Sequence, residues 1–457
     1  MNRRHFIKSI IAAGAAPTFI PAGVLRAQDG KPTPSNRVTF ALIGSGGMGN
    51  GGLGNVLGNP DAQVIAACDV FKSRRENTAK RVDSHYKTTG CAAYGDFREL
   101  LARKDLDCVE IATGDYWHIP IAIAAARAGK DMYVEKPLGI SLDWAYVLRK
   151  EINDRKRIFQ HGTWQRSRDH FRKACEMVSN GVIGNVQRVE AWTHGMASDV
   201  GGIFNEGSKL RQLHVDGLKG APVPAELDYN MFLGPAPAKP FTAVRAMNHA
   251  IFHCSDYALG FIAGWGIHAV DIAQWGLNMD HSSPISYKGT GRFPDVFGLF
   301  DTLATWDVQC TYANGIQMHF IDAFTAKPII EKYRPYCDHG TTFFGEKGWI
   351  SVDRGAVYAS EKEWKAWKTF DCGPNAKKLY ESKNQWTNFI DCVKTRKPTI
   401  NPIESAINGD VICHLSDLAV RTGREIKWDP KAEKIVGDNE AQLLLSKTPR
   451  APWKIEA

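Results

Sequence analysis

The strand-like run Val38-Thr39-Phe40-Ala41-Leu42-Ile43 empties directly into Gly44-Ser45-Gly46-Gly47-Met48-Gly49. An acidic residue, Asp69, closes the next apolar run, Val64 to Cys68, about 20 residues further on. A buried strand that turns through G-x-G-x-x-G into a helix, with an acid at that distance, is the opening unit of a parallel, doubly wound sheet. The chemistry is mostly backbone chemistry. Gly44 permits the tight turn, Gly46 lets the main chain approach a pyrophosphate, and Gly49 lets the helix sit close to the strand. Ser45, Gly47 and Met48 complete a loop whose N–H groups and helix dipole favour an anion. Asp69 suits the hydroxyls of an adenosine ribose, which favours NAD. Arg74 and Arg75, just beyond, keep NADP open.

A second strand-like segment, Tyr133-Val134-Glu135-Lys136-Pro137, ends on a lysine. Doubly wound sheets bind ligands at the carboxyl ends of their strands, so the expected arrangement is a nicotinamide site with Lys136 beside it. From Arg37 onward strands and helices alternate. Cys108 to Ala112 reads as a strand, Ile119 to Ala128 as a helix, Leu142 to Asp154 as a helix and Arg157 to Gln160 as a last strand. After Gly162 the pattern changes. Arg168 to Asn180, Gly264 to Leu277, Asn384 to Lys394 and Ile403 to Thr422 read as helices, whereas Val186 to Trp192, Thr302 to Tyr312, Gly315 to Phe320, Thr341 to Phe344 and Trp349 to Val352 alternate like strands with one exposed face. The fold class is therefore α/β: an N-terminal Rossmann domain, then an α+β domain with a large, mostly antiparallel open sheet. The boundaries read as a signal over 1–27, a linker over 28–36, the dinucleotide-binding domain over 37–161, the substrate and oligomerisation domain over 162–428 and an extended arm over 429–457, with one short helix at Glu440 to Leu445.

The first residues are an address rather than part of the fold. Arg3-Arg4-His5-Phe6-Ile7-Lys8 is a twin-arginine pattern, and Ile10 to Ile20 is apolar but too short to span a bilayer. Leu25-Arg26-Ala27 offers a cleavage site before Gln28, with an uncleaved membrane tether as the alternative. Export by twin-arginine machinery carries folded proteins, so a tightly held cofactor loaded before export is expected. The net charge of +8 comes from scattered residues, and no lysine- or arginine-rich run is interleaved with aromatics, which argues against a nucleic-acid partner. The ten cysteines form no C-x-x-C and match no metal or disulfide framework, so no metal is expected. Thirteen Trp and thirteen Tyr hint at a sugar-handling surface.

On the glycine turn, on Ala112-Thr113-Gly114 with His118, on Glu135-Lys136-Pro137 and on Gly266-Ile267-His268-Ala269-Val270-Asp271, the chain resembles the Gfo/Idh/MocA oxidoreductases over nearly everything after the signal. The resemblance implies oxidation or reduction of sugars, inositols and related polyols with NAD(P), in dimers or tetramers built on the open sheet. Exported relatives include the glucose–fructose oxidoreductases, and glycoside hydrolase family 109 looks similar too. By that resemblance Lys136 binds the reacting hydroxyl, and His268 contacts it and shares the proton transfer. Imidazole suits that role because its proton leaves near neutral pH. Thr113, His118 and Glu135 fall to the cofactor side, and Lys136 touches the cofactor as well as the substrate. By position, Gln165 and Arg166 after the last Rossmann strand touch cofactor or substrate, or pack the domain interface. Asp271 lies one helical turn from His268 and reads equally as a site acid or a structural one. Trp192, His194 and Trp265 offer a stacking face or core packing.

One departure matters. Many family dehydrogenases carry an aspartate four residues before the histidine, where this chain has Gly264; Asp256 is the candidate replacement. Three readings follow. The first is an exported NAD(P)-dependent carbohydrate oxidoreductase. The second is a redox glycosidase that oxidises C3 transiently, eliminates the aglycone, adds water and returns the hydride. The third is a non-catalytic sugar-binding protein.

Overall fold

The computed structural model describes residues 36–247, 249–370, 373–374 and 376–456; the twin-arginine segment, the linker up to residue 35 and Cys372 lie outside them. Six strands form the first sheet: β1 (Val38–Ile43), β2 (Ala62–Cys68), β3 (Ala92–Tyr94), β4 (Cys108–Ile111), β5 (Asp131–Val134) and β6 (Phe159–His161). Their order is β3-β2-β1-β4-β5-β6, and every pair is parallel. This is the doubly wound order. The crevice where it reverses lies between β1 and β4. Every residue of β4 and β5 is buried, as a parallel sheet covered on both faces requires.

One covering element comes from far along the chain. Helix Gln385–Thr395, capped by the Asn384 side chain accepting from Trp386 N and Thr387 N, lays Trp386, Phe389 and Ile390 on Phe40, Leu42 and Tyr133. The Trp386 and Tyr133 rings stack 3.9 Å apart. Burying a ring pair this way contributes about 0.5–1.5 kcal/mol beyond the area removed from water.

The second sheet has nine strands: β7 (Val186–Thr193), β8 (Ser286–Arg292), β9 (Thr305–Thr311), β10 (Gln317–Asp322), β11 (Gly340–Gly345), β12 (Trp349–Val352), β13 (Val357–Ala359), β14 (Ile426–Asp429) and β15 (Lys434–Ile435). Their order is β13-β12-β11-β7-β10-β9-β8-β14-β15. Only the β7–β10 pair is parallel. The inner face, with Val189, Val308, Met318, Phe320 and Phe343, packs in one core with Val270 and Ala273 of helix Gly266–Leu277 and with helix Ile403–Thr422. The outer face presents Lys288, Gln309 and Gln317. Helix Ala323–Ile330 covers that face where Trp192 and Ile321 are buried.

The segment after β14 runs back along the molecule. β15 pairs with β14, helix Asn439–Leu444 follows, and Leu445 O then accepts from Leu142 N at 3.1 Å. Trp144 Nε1 donates to Lys447 O at 3.0 Å, and the Trp453 ring meets Trp117 at 4.7 Å. The C-terminal stretch thus straps the substrate half to the Rossmann half. Among the described residues no helix is long and apolar enough to cross a membrane.

Candidate active site

A cavity of about 390 Å³ opens outside the carboxyl ends of β1, β2 and β4. Gly44, Gly46, Gly47, Asp69 and Thr113 line its Rossmann side, and Met247, His249 and Phe252 close it from the other half of the chain. The glycines are there for space. Gly44 sits at φ 99°, and a Cβ on it would lie 2.6 Å from Ala112 C and 2.8 Å from Thr113 N. A Cβ on Gly49 would overlap Gly44 O and stand 3.0 Å from Leu42 Cδ1. Gly47 differs: a Cβ there would meet nothing within 4 Å, because Gly47 borders the cavity. Helix Gly47–Leu57 begins at this point, with its first N–H groups unsatisfied by the helix itself. Open space against glycine backbone at a helix N-terminus fits a pyrophosphate.

Asp69 holds this loop in shape. One carboxylate oxygen accepts from Ser45 N and the other from Phe71 N, both at 2.8 Å. Burial raises its pKa, and those two amides oppose the rise. Each oxygen retains a second lone pair for a ribose hydroxyl. The Arg74 guanidinium lies 4.1 Å over the Phe71 ring at the cavity rim, whereas Arg75 Nη1 is spent on Asp69 O at 3.0 Å. Met48 is half exposed beside the cavity, and Ser45 Oγ is buried without a partner among the described residues.

Lys136 ends β5 one strand away, and its Nζ donates to Gly264 O at 3.2 Å. The position that carries no side chain thus still serves the lysine, through its carbonyl. Two N–H bonds of the ammonium remain for a substrate oxygen. Helix Gly266–Leu277 follows and buries His268 on its first turn. The His268 pKa is pushed well down, first by burial and then by Lys136 and Arg354, so the ring is neutral. Its Nδ1 is buried and has no hydrogen-bond partner among the described residues. Gln165, oriented so that both ends of its amide are satisfied, donates to His268 O at 2.9 Å and accepts from Arg354 Nε at 3.3 Å. Trp265 stands over His268 with ring centroids 5.9 Å apart, and Arg354 stacks on the same indole at 4.5 Å. None of the three lines the large cavity, and His268 and Trp265 line a small one of their own. A neutral imidazole, a lysine and an indole together can move a proton on or off a hydroxyl.

Models of two oxidoreductase domains cover most of the chain: the NAD-binding Rossmann fold over residues 38–163 and the C-terminal alpha/beta domain over 199–326 and 339–455. The chain belongs to the Gfo/Idh/MocA oxidoreductase family. It is 29% identical over 152 residues to an inositol 2-dehydrogenase of Rhizobium meliloti, covering 33% of this chain and 44% of the relative. It is 30% identical over 203 residues to a glycosyl hydrolase family 109 protein of Saccharopolyspora erythraea, covering 40% of this chain and 44% of the relative. In both cases the match spans less than half the relative's length. The structure of GenD2 from gentamicin A biosynthesis, solved in complex with NAD, superposes with a TM-score of 0.59 at 16% identity, covering 88% of this chain and all of that one. At that identity the likeness shows the fold.

Within this family frame the remaining candidates separate. Arg166 is fully buried and forked between two acids: Nη2 donates to Asp271 Oδ1 at 2.7 Å, and Nη1 donates to Asp280 Oδ2 at 2.8 Å. Both Arg166 and Asp271 are therefore occupied with each other. They form a buried ionic brace, and neither lines the large cavity or the small one beside His268. His118 bridges two loops, with Nδ1 2.7 Å from Pro137 O and Nε2 3.2 Å from Thr113 O. Burial drops its pKa to about 4, so the ring is neutral and has one N–H to donate, which the shorter contact assigns to Pro137 O on the lysine loop. Glu135 is buried behind Lys136, with a carboxyl pKa raised by desolvation. Asp256 faces Arg245 at 3.6 Å and lines neither the large cavity nor the small one beside His268. It does not fill the place left by Gly264.

Two residues not singled out in the sequence stand close to Lys136. Asp115, on the first turn of helix Asp115–Arg127, has its pKa raised to about 8 by burial, which Lys136 partly offsets. His161, at the end of β6, is buried with neither ring nitrogen partnered; burial first, then His118 and Lys136, lower its pKa to about 3. Strand-end position was the available signal for both.

Proposed function

We propose that this protein is an exported, NAD-dependent oxidoreductase acting on a hydroxyl of a sugar, glycoside or polyol. The observation that carries the reading is the approach of Lys136 Nζ to Gly264 O, which brings the lysine of the Rossmann half to the start of the segment bearing His268. Bound dinucleotide supplies the hydride acceptor. The chain's residues supply the rest. Lys136 donates hydrogen bonds to the reacting oxygen, and its charge stabilises that oxygen as it loses its proton. Neutral His268 takes the proton on an imidazole nitrogen. Trp265 offers the sugar ring a face. The carboxylate of Asp69, beside the ribose position, favours NAD over NADP, because a 2′-phosphate would meet a like charge. The twin-arginine pattern supports export with the cofactor already held tightly, and the open sheet face supports a dimer or tetramer.

A second reading is supported by the similarity to a glycosyl hydrolase family 109 protein. In it, transient oxidation at C3 of a glycoside makes the neighbouring carbon acid labile, the aglycone leaves, water adds and the centre is reduced again. One experiment separates the two. The purified protein is denatured and any released dinucleotide identified, and the intact protein is followed by nicotinamide absorbance against glycosides, free sugars and inositols. Reduction by one substrate that persists is the expected result. Aglycone release without lasting reduction favours the glycosidase cycle. A protein that neither contains nor binds NAD or NADP sinks both.

A further inference from the structure

His249 and His253 lie four residues apart across the 3-10 turn Ala250–His253, and their rings meet edge to face with centroids 5.7 Å apart. Asp199 faces them from the loop after β7. Both Nε2 atoms approach one oxygen, Asp199 Oδ2, at 2.6 and 3.3 Å. All three atoms lie within 4.8 Å of one another. Metal–nitrogen bonds of about 2.0–2.1 Å put neighbouring ligand atoms roughly 3 Å apart, so a small rotation of His249 or His253 turns this triangle into one face of a coordination shell. The loop that aims Asp199 is tight and strained. Val200, a branched residue, is held at φ 43° and ψ 43°, and Gly201 and Gly202 follow at φ 87° and 83°.

A neighbouring His/Asp group shows what a plain hydrogen-bonded arrangement looks like. His339 Nε2 accepts from Arg354 N at 3.4 Å, which places its proton on Nδ1, and Nδ1 then donates to Asp338 Oδ1 at 2.7 Å. His194 meets the other carboxylate oxygen, Oδ2, at 3.2 Å. Each ring there has an oxygen of its own. At Asp199 both rings approach one oxygen, which gathers all three donor atoms into one small triangle.

We propose that Asp199, His249 and His253 bind one divalent cation of the zinc, manganese, cobalt or iron(II) class at the rim of the dinucleotide cavity. Two imidazoles and one carboxylate are the donor set for such ions, and they leave coordination positions open. His253 is fully buried and closes one side, whereas His249 is part-exposed and lines the dinucleotide cavity, so the open positions lie on the His249 side. Water fills them at rest, and the oxygens of a vicinal diol are the matching ligand class. The site stands on this geometry alone and does not depend on the redox reading.

The test uses the full chain, stripped with a chelator and then titrated with Co²⁺, followed by its visible absorption, and with Zn²⁺ and Mn²⁺ by calorimetry. One equivalent per chain is expected. Asp199→Asn and His249→Asn each weaken binding by more than the roughly 10–100-fold that losing a merely supporting residue costs, with unchanged circular dichroism. His194→Asn and Asp338→Asn leave the affinity as it was. His249→Asn, at a part-exposed position, keeps the test valid if Asp199→Asn fails to fold. The proposal is overturned by a stoichiometry far below one, by binding that survives both Asp199→Asn and His249→Asn, or by loss of binding in Asp338→Asn instead.

Discussion

Gly47 and Gly49 stand two residues apart in the same turn, yet alanine at each should do opposite things. At Gly49 the added Cβ overlaps Gly44 O, a backbone atom fixed by the strand, and presses Leu42 Cδ1 at 3.0 Å. Overpacking of this kind costs about 1–3 kcal/mol, and a rigid backbone neighbour puts it toward the upper end. Gly49→Ala should therefore lower the melting temperature of the dinucleotide-free protein by several degrees. At Gly47 the Cβ meets no protein atom within 4 Å. Gly47→Ala should leave that melting temperature unchanged or raise stability by about 0.4–1 kcal/mol through a less free unfolded chain. The same methyl would project where the pyrophosphate is expected, and the overpacking range of about 1–3 kcal/mol corresponds to a loss of roughly 5- to 150-fold in NAD affinity. Thermal melts with and without NAD, and calorimetric titration of both variants, read the two effects separately. If Gly47→Ala binds NAD as tightly as the parent, the phosphates do not lie against this turn. If Gly49→Ala melts with the parent, the helix does not pack as described.

Replacing Lys136 by Met should reduce turnover by about 100-fold or more while leaving the Kd for NAD unchanged; an equal loss in both would make the lysine a cofactor anchor rather than a proton-handling group. Arg166→Met strands the buried Asp271 and the partly buried Asp280, and breaking such a brace costs about 3–5 kcal/mol, read as a lower urea midpoint; an intact midpoint with weakened NAD binding would return Arg166 to the cofactor site. Asp115 is an acid whose folded pKa is raised to about 8, so the unfolded chain releases this proton first. Its contribution is present below about pH 4 and is lost as pH rises from about 4 to about 8, after which the penalty stays constant. Asp115→Asn should flatten that fall, giving a smaller difference between urea midpoints at pH 5 and pH 9. A variant whose midpoints track the parent at both pH values would mean the carboxyl is already ionised in the folded protein.

What was legible in the chain was what its neighbours in sequence dictate. The glycine turn, Asp69 at the end of β2 and Lys136 at the end of β5 follow from local strand and turn chemistry, and the parallel sheet follows from their alternation with helices. Strand β8 was not legible. Its Gly289 and Gly291 lie so close to β9 that a Cβ on Gly289 would meet Val308 Cγ2 at 2.7 Å, so the residues that let it pair are those that make it read as a loop. Helix Ala323–Ile330 hides behind Pro328, although the Asp322 side chain caps it by accepting from Phe324 N and Thr325 N. Asp271 does lie one turn from His268, but a buried guanidinium 105 residues away in sequence claims it, and only tertiary structure reveals that. The same limit applies to the ligand triad. The four-residue spacing of His249 and His253 is present in the sequence, whereas the carboxylate that gives the pair chemical meaning reaches it from a strained loop 50 residues upstream. Both sites are assembled by tertiary packing of residues after β6, and the His249 rim is in turn held over the glycine turn by the packing of the two halves against each other. Changes that loosen this packing, such as removal of the C-terminal strap held by Trp144 on Lys447 O, should therefore disturb the His249 rim before they disturb the glycine turn, whose parts are local.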